Sequence, residues 1–208
     1  MSIIQKSKTK RLSISIYDLA VVGVMAAICF VVTYFIKIPI PTPVGQTMIK
    51  VANAFCLLAG ALFGGWRGGL AAGIGSMFYD LMDPAFITSA PVTLVRFFLM
   101  GCICGMICFS GGSKGKSFWR NAVGISAGSL FSMLFYIAES ILKQMLLGQP
   151  FQAALLACVP KMVTSGINMA AGIALALVLL PLFRNGLERA GVYRKIWPQS
   201  GEQPLEIK

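Results

Sequence analysis

The chain has 208 residues, of which 57% are hydrophobic and only 12% are charged, and its mean hydropathy is +0.78. This composition lies far outside the range of soluble domains and inside that of membrane proteins. At roughly 20 apolar residues per span, the length accommodates about six membrane helices and leaves no room for a soluble domain. The net charge of +11 comes mostly from basic loops, so it does not indicate a nucleic-acid partner.

The apolar segments predict an all-α integral membrane protein, a bundle of six transmembrane helices. The predicted spans are approximately residues 16–36, 48–63, 68–82, 91–109, 121–146 and 152–183. The basic start of the chain is followed by about 20 apolar residues without a small-residue cleavage pattern, which favours a retained first span over a signal peptide. The chain is therefore divided into a basic cytoplasmic segment (1–15), the membrane domain (16–183) and a basic cytoplasmic tail (184–208).

The first predicted span carries small residues four positions apart, Gly23 and Ala27. Such a face lets another helix approach closely, either inside this bundle or from a partner subunit. The following loop has prolines at alternate positions, Pro39, Pro41 and Pro43, which predict an extended path that cannot be helical.

Spans two and three form a predicted helical hairpin joined by a tight glycine turn. Gly65, Gly69 and Gly73 recur every four residues and predict a smooth seam for close packing. The polar residues of this hairpin lie near its two ends, which are adjacent in space. We interpret that edge as one wall of a binding pocket.

Lysine and arginine positions set the predicted orientation. With six spans, thirteen basic residues fall on one side, which the positive-inside rule assigns to the cytoplasm together with both termini. These residues are Lys6, Lys8, Lys10, Arg11, Arg67, Lys114, Lys116, Arg120, Arg184, Arg189, Arg194, Lys195 and Lys208.

Polar residues at helical spacing form stripes on four of the predicted helices, all toward the outer side. The stripes are Lys50 and Asn53; Ser76, Tyr79 and Asp83; Tyr136, Glu139 and Lys143; and Lys161, Ser165 and Asn168. Charges inside a span are costly and usually face a cavity or a partner, so the stripes predict a water-filled pocket open to the outside. The alternative is a set of structural salt bridges such as Glu139–Lys143.

Eight residues are the predicted substrate-binding set, drawn from five helices at a similar depth. They are Asn53, Tyr79, Asp80, Arg96, Tyr136, Glu139, Lys161 and Asn168. The outer pocket region has five cations and three acids, which favours a neutral or mildly anionic solute over a cation. Its aromatic residues are suited to stacking on a flat ring.

Several functional classes lack support in the residues. The chain has no histidine, the commonest transition-metal ligand and general base. Its six cysteines all lie in apolar segments, as buried structural cysteines do. The segment 110–117 nearly matches a phosphate-binding P-loop, but Ser110 stands where the motif needs glycine, and the segment joins two membrane helices. We predict no metal site, no cofactor and no enzymatic activity.

A chain of about 200 residues with six predicted helices, a predicted binding pocket and no motif for using an energy source resembles the substrate-binding S component of energy-coupling factor (ECF) vitamin transporters. The resemblance lies in the loop IPIPTP, the hairpin LLAGALFGGWRGGLAAGIGS, the following YDLMDP and the small face at Gly23 and Ala27. It covers roughly residues 17–183. Within the family, the chain looks most like S components associated with riboflavin, pyridoxine or hydroxymethylpyrimidine.

The resemblance implies a protein of the plasma membrane that captures a vitamin outside and works with a membrane T component and two ATPases. The family docks its T component through two alanines four apart, for which this chain has Gly23 and Ala27. The loop after the first helix is a lid in the family, which implies that role for Pro41, Thr42, Gly45 and Gln46. The absence of histidine argues against the metal-binding branch of the family.

Two other functions remain open from the residues alone. A self-sufficient secondary transporter would use Asp80 or Glu139 as its proton-coupling carboxylate. An intramembrane enzyme would need Lys161 paired with a serine such as Ser165, without support from any motif.

Overall fold

The computed structural model describes residues 15–42, 45–112 and 115–196, and over these ranges the chain is mainly helical. The elements are α1 (Ile16–Phe35), β1 (Lys37–Thr42), β2 (Gly45–Lys50), α2 (Ala52–Phe63), α3 (Gly65–Met82), α4 (Ala90–Phe109), α5 (Phe118–Leu146), α6 (Phe151–Arg189) and α7 (Val192–Ile196). Single 3-10 turns precede and follow α4, at Ile87–Ser89 and Ser110–Gly112. This agrees with the predicted all-α membrane fold, to which a small β-hairpin is added.

The proline-rich loop forms that hairpin. β1 and β2 pair antiparallel, with Pro39 opposite Met48 and Pro41 opposite Gln46. Successive backbone N–H groups of a strand point to opposite sides, so prolines at alternate positions can both lie on the unpaired side of β1. The extended path was therefore predicted correctly. The second helix begins at Ala52 rather than near Met48, because β2 occupies the residues in between.

Within the described ranges, four helical segments have the length and hydropathy to cross a membrane: Ile16–Phe35, Ile87–Phe109, Phe118–Leu146 and Phe151–Arg189. The other two predicted spans correspond to α2, which is apolar but only 12 residues long, and to α3, which has 18 residues but a lower hydropathy because of its glycines and polar end. Six spans and cytoplasmic termini stay predictions.

Glycines bring α3 into backbone contact with α4. A β carbon added at Gly69 would lie 2.6 Å from the carbonyl oxygen of Phe98, and one at Gly73 would lie 2.8 Å from that of Leu94. Neither contact leaves room for a side chain. The close-packed seam predicted from the glycine spacing is confirmed, and α4 is the helix that packs on it.

Helix α1 begins at a capping box and buries only one face. Ser15 Oγ accepts a hydrogen bond from the Tyr17 N–H at 3.4 Å, and Asp18 Oδ2 accepts one from the Ser15 N–H at 3.2 Å. Ala26 and Cys29 are buried against Gly75 of α3. The opposite face of the helix, which includes Gly23 and Ala27, is exposed.

The small residues of that opposite face do not pack inside the bundle. Gly23 and Ala27 are both exposed, as is Ala20. A β carbon added at Gly23 would have no neighbour within 4 Å in the part of the chain that the structure describes. Of the two alternatives for this face, internal packing is therefore wrong, and its use for a partner stays a prediction.

Polar contacts join the end of the bundle away from the hairpin. Arg67 Nε lies 2.8 Å from Asp18 Oδ1, which links α3 to α1. The carbonyl oxygen of Gly115 accepts hydrogen bonds from Asn121 Nδ2 at 2.7 Å and from Arg184 Nη1. Helix α7 packs beneath this end through Ile196, which is buried in the core. The C-terminal third of α6 and the whole of α7 thus belong to the folded bundle.

Candidate functional site

A cavity of about 260 Å³ lies beneath the hairpin, between β2 and helices α2 to α6. Its lining residues are Gln46, Thr47, Met48, Lys50, Asn53, Asp80, Ala85, Phe86, Thr88, Ser89, Thr93, Arg96, Phe97, Met100, Ser129, Ser132, Met133, Tyr136, Glu139, Ser140, Lys143, Lys161, Ser165, Asn168 and Met169. Polar and aromatic side chains thus converge from five helices at one end of an otherwise apolar bundle, which is the form of a small-molecule site.

Seven of the eight predicted substrate-binding residues line this one cavity. They are Asn53, Asp80, Arg96, Tyr136, Glu139, Lys161 and Asn168. Three of the four polar stripes therefore identified side chains that the fold brings together, and the prediction was wrong for the stripe of Ser76, Tyr79 and Asp83, none of which lines the cavity. That these residues contact a substrate stays a prediction.

Tyr79 is the exception. Its hydroxyl donates to Asp83 Oδ2 at 2.6 Å and accepts from Lys37 Nζ at 2.5 Å, outside the cavity. Neighbouring residues of a helix point about 100° apart, so Asp80 faces the cavity while Tyr79 faces the junction of α1 and β1. Tyr79 there fastens the start of the hairpin to the end of α3.

The pKa of Asp83 reflects this junction. Burial raises the pKa of the carboxyl, but hydrogen bonds from Tyr79, the Ala85 N–H and Lys37, with the charge of Lys37, outweigh burial and hold it below its usual value. Lys37 Nζ lies 3.2 Å from Asp83 Oδ2. The junction is therefore an ionised, hydrogen-bonded cluster.

The predicted lid residues all belong to the hairpin, and one of them reaches the cavity. Gln46 lines it, while Pro41 and Thr42 end β1, and Gly45 begins β2 opposite Thr42. Pro43 of the predicted proline loop lies outside the described residues. The lid role itself stays a prediction.

Asn168 holds the hairpin against α6. Its Oδ1 accepts from the Lys50 N–H at 2.9 Å, and its Nδ2 donates to the Met48 carbonyl at 2.8 Å. One side-chain amide thus pairs with the free edge of β2 as a neighbouring strand would. Tyr136 adds a second tie from α5, since its hydroxyl donates to Thr47 Oγ1 at 3.3 Å.

Two buried polar atoms of the cavity have no hydrogen-bond partner among the described residues. They are Oδ1 of Asn53, an acceptor, and Nε of Arg96, a donor. Buried polar atoms are almost always paired, and leaving one unpaired costs about 1–3 kcal/mol. A solute with one donor and one acceptor group has the hydrogen-bonding groups that would pair with both atoms.

Cations and aromatic rings alternate along the cavity wall. Lys50 Nζ lies 4.8 Å from the ring centroid of Phe97, and Arg96 Cζ lies 4.8 Å from that same centroid. Arg96 Cζ is also 4.8 Å from the Tyr136 centroid, and Lys161 Nζ is 5.8 Å from it. We name these five residues the cation–aromatic row. Cation–π attraction orients the three cations without neutralising them.

The two carboxylates of the cavity are differently engaged. Glu139 Oε1 accepts from Lys143 Nζ at 2.5 Å, and Lys143 also donates to Ser89 Oγ at 2.9 Å. Asp80 is buried and lies within electrostatic range of Lys50 and Arg96. The structural salt bridge considered for Glu139 and Lys143 is thus present, inside the cavity wall.

Sequence reasoning missed part of the lining. Ser129, Ser132 and Ser140 continue the stripe of Tyr136 and Glu139 along α5 at spacings of three and four residues. That periodicity was available as a signal, although isolated serines are common in membrane helices. Thr47 and Met48 had no signal, because they reach the cavity only through the hairpin.

The fold and the cavity define the class of the protein: a membrane-embedded helical protein with a polar internal cavity. A family model described as the ECF-type riboflavin transporter, S component, matches residues 13–185. The chain belongs to this family, and the resemblance drawn from its motifs is confirmed. It is accordingly a multi-pass membrane protein of a family of transporter S components, which are not enzymes. A comparison with curated proteins gives no match.

Proposed function

We propose that this S component captures a small vitamin-like solute in the cavity from the outer side of the membrane. The observation that carries the proposal is the converging set of buried polar groups without partners, Asn53 Oδ1 and Arg96 Nε, in a chain of this family. A flavin is the first candidate because of the family's description, and pyridoxine-like and pyrimidine-like rings are the others. Phe97 and Tyr136 offer aromatic faces to any of them.

The orientation follows from the distribution of charge. The end opposite the cavity carries Arg67, Lys116, Arg120, Arg184 and Arg189, and cytoplasmic loops are enriched in lysine and arginine. We therefore assign six spans, α1 to α6, with both termini in the cytoplasm and the hairpin outside. A cysteine placed at Thr42 in a cysteine-free background should react with a membrane-impermeant reagent added outside. Labelling only from the cytoplasmic side would overturn this orientation.

Delivery into the cell requires partners. The protein holds the solute, and a membrane T component with two ATPases supplies the energy. The exposed small-residue face of α1 at Gly23 and Ala27 supports this, because it allows another helix to approach closely and no part of the described bundle covers it.

The test begins with mass spectrometry of small molecules that co-purify with the full chain. Riboflavin, pyridoxine and hydroxymethylpyrimidine are then titrated into the purified protein. Arg96→Gln should weaken binding of the identified solute by roughly one to three powers of ten, about 1.4 kcal/mol each, with folding preserved. Lys195→Gln, at the other end of the bundle, is the control and should bind as the wild type does.

Uptake measurements in cells distinguish the two energy sources for transport, the partner ATPases and the proton gradient. Transport that survives loss of the partner ATPases but collapses with the proton gradient would contradict the proposal. That result would favour the self-sufficient transporter, with Asp80 or Glu139 as the coupling carboxylate.

A further inference from the structure

The cavity contains more positive than negative side chains. Among the residues that the structure describes, Lys50, Arg96, Lys143 and Lys161 line it together with only two acids, Asp80 and Glu139. Lys143 forms a hydrogen-bonded ion pair with Glu139, so these two charges neutralise each other. Asp80 is then the remaining carboxylate for the three cations of the cation–aromatic row.

Two of these cations lie near the same aromatic ring and are largely removed from water. Arg96 and Lys161 are each only 9% exposed, and both lie near the ring of Tyr136. Neither of them makes an ion pair with an acid within the described ranges 15–42, 45–112 and 115–196. Like charges repel more strongly inside a protein than in water, and buried cations are normally paired. Among the described residues, Asp80 is therefore the one carboxylate of the cavity left to balance three cations, and the positive charge is in excess.

We propose that the solute binds as an anion, with a carboxylate or phosphate group held between Arg96 and Lys161. This rests on the proposed function, because it assigns the charge of the solute that the cavity takes. A guanidinium binds two oxygens of such a group in a planar fork, and an ammonium adds a point charge. Asn53 Oδ1 accepts a hydrogen bond from the uncharged part of the same solute.

The negative group has two sources with the same chemistry. It is either part of the solute, or an inorganic anion that binds beside a neutral solute. Matched probes separate them: riboflavin against riboflavin 5′-phosphate, pyridoxine against its 5′-phosphate, and hydroxymethylpyrimidine against its phosphate. Each is titrated into the full chain in detergent after removal of co-purified solute, with and without inorganic phosphate.

We expect the phosphorylated member of at least one pair to bind tenfold or more tightly than its neutral partner. Lys161→Gln should weaken binding of the phosphorylated member about tenfold more than it weakens binding of the neutral one. Lys116→Gln removes the same charge from an exposed loop residue and should change neither. A neutral member that binds tenfold more tightly only when inorganic phosphate is present would assign the anion to solution instead of to the solute, and would overturn the proposal.

Other outcomes separate the charge from the proposed function. If the neutral member of every binding pair binds equally well or better without phosphate, the vitamin assignment stands and the anion is excluded. If no pair binds, the thermal shift with inorganic phosphate decides. Stabilisation of the wild type but not of Lys161→Gln would support the anionic subsite while the vitamin assignment fails, and equal shifts would refute both.

Discussion

Helices α1 and α3 both carry small residues every four positions, but the two stripes have opposite surroundings. In α3, the space beside Gly69 and Gly73 is filled by the backbone of α4. In α1, Gly23 and Ala27 face outward, and no described atom lies within 4 Å of a β carbon built at Gly23. The same sequence pattern thus forms a backbone-to-backbone contact in one helix and an open surface in the other.

The difference teaches that small residues permit close approach but do not determine which helix approaches. Helix α1 shows this within a single turn: Ala26 packs beside Gly75 of α3, while its neighbour Ala27 is exposed. The inner face stabilises the fold, and we assign the outer face to a partner.

The largest effect is expected at the outer face. Ala27→Trp places a bulky ring where a T component helix would approach, so uptake and co-purification with the partner complex should be abolished. Solute binding by the isolated protein should stay within a few-fold of the wild type. Val178 of α6 is 70% exposed, so Val178→Trp is the control for a large side chain in the outer surface of the bundle.

If Ala27→Trp lost solute binding but still formed the partner complex, the assignment of the outer face of α1 to a partner would be contradicted. That result would mean that the outer face of α1 packs within this protein after all.

The buried ion pair that joins α1 to α3 should give the largest change in stability. Asp18 and Arg67 side chains are only 3% and 12% exposed, and removing one partner of a buried pair costs about 3–5 kcal/mol because the other charge is left alone. Asp18→Ala should lower the free energy of unfolding by about this amount, measured by denaturant titration in detergent.

Asp18 also belongs to the capping box, so Ser15→Ala serves as its control. Loss of that cap alone should cost about 1 kcal/mol. Equal effects of the two substitutions would show that the ion pair contributes nothing beyond the cap.

Adjacent alanines give the sharpest test of the two faces of α1. Ala26→Leu forces extra volume against α3 and should destabilise by about 1–3 kcal/mol. Ala27→Leu adds the same volume to the open face and should change the free energy of unfolding by less than about 0.5 kcal/mol. Thermal unfolding of the two variants side by side measures the difference, and equal melting temperatures would contradict the assignment of faces.

The smallest effect is expected where α1 and α3 end near the hairpin. The folded-state pKa of Asp83 lies below its usual value, so the stability from its cluster is present above the usual pKa of an aspartate. It is lost as pH falls through the lowered folded-state value. Because the Lys37–Asp83 pair is partly exposed, its contribution should be about 0.2–1 kcal/mol.

Lys37→Gln should lower stability at neutral pH and reduce its loss on acidification, as followed by thermal unfolding from pH 7 to pH 3. A variant with the same pH profile as the wild type would show that Lys37 does not hold the cluster.

The sequence predicted the helices and most of the cavity because both follow from periodicity. Apolar runs located α1 and α4 to α6, and glycine spacing located the seam of α3. Spacings of three and four residues placed Tyr136 beside Glu139, and Lys161 beside Asn168, on the correct faces.

The remaining features depend on contacts between distant segments. The prolines of β1 predicted an extended chain but did not show that β2 would pair with it. The role of Asn168 in holding that strand arises only when Met48 and Lys50, far away in sequence, lie against α6. The sequence predicts Tyr79 in the cavity because it shares a helix face with Asp83. In the structure that face points toward Lys37, and Asp80, on a different face of α3, lines the cavity.

The short length of α2 sets how far a bound solute is from the opposite face of the protein. Asn53 lines the cavity near the start of α2, and Phe63 ends the helix beside Tyr193 of α7. Ten residues of helix correspond to about 15 Å, half of a typical hydrocarbon thickness of about 30 Å. In the proposed orientation, a polar solute in the cavity would lie about halfway across the membrane, and the buried side chains of Leu57, Leu58 and Leu62 would form the dry remainder of the permeability barrier.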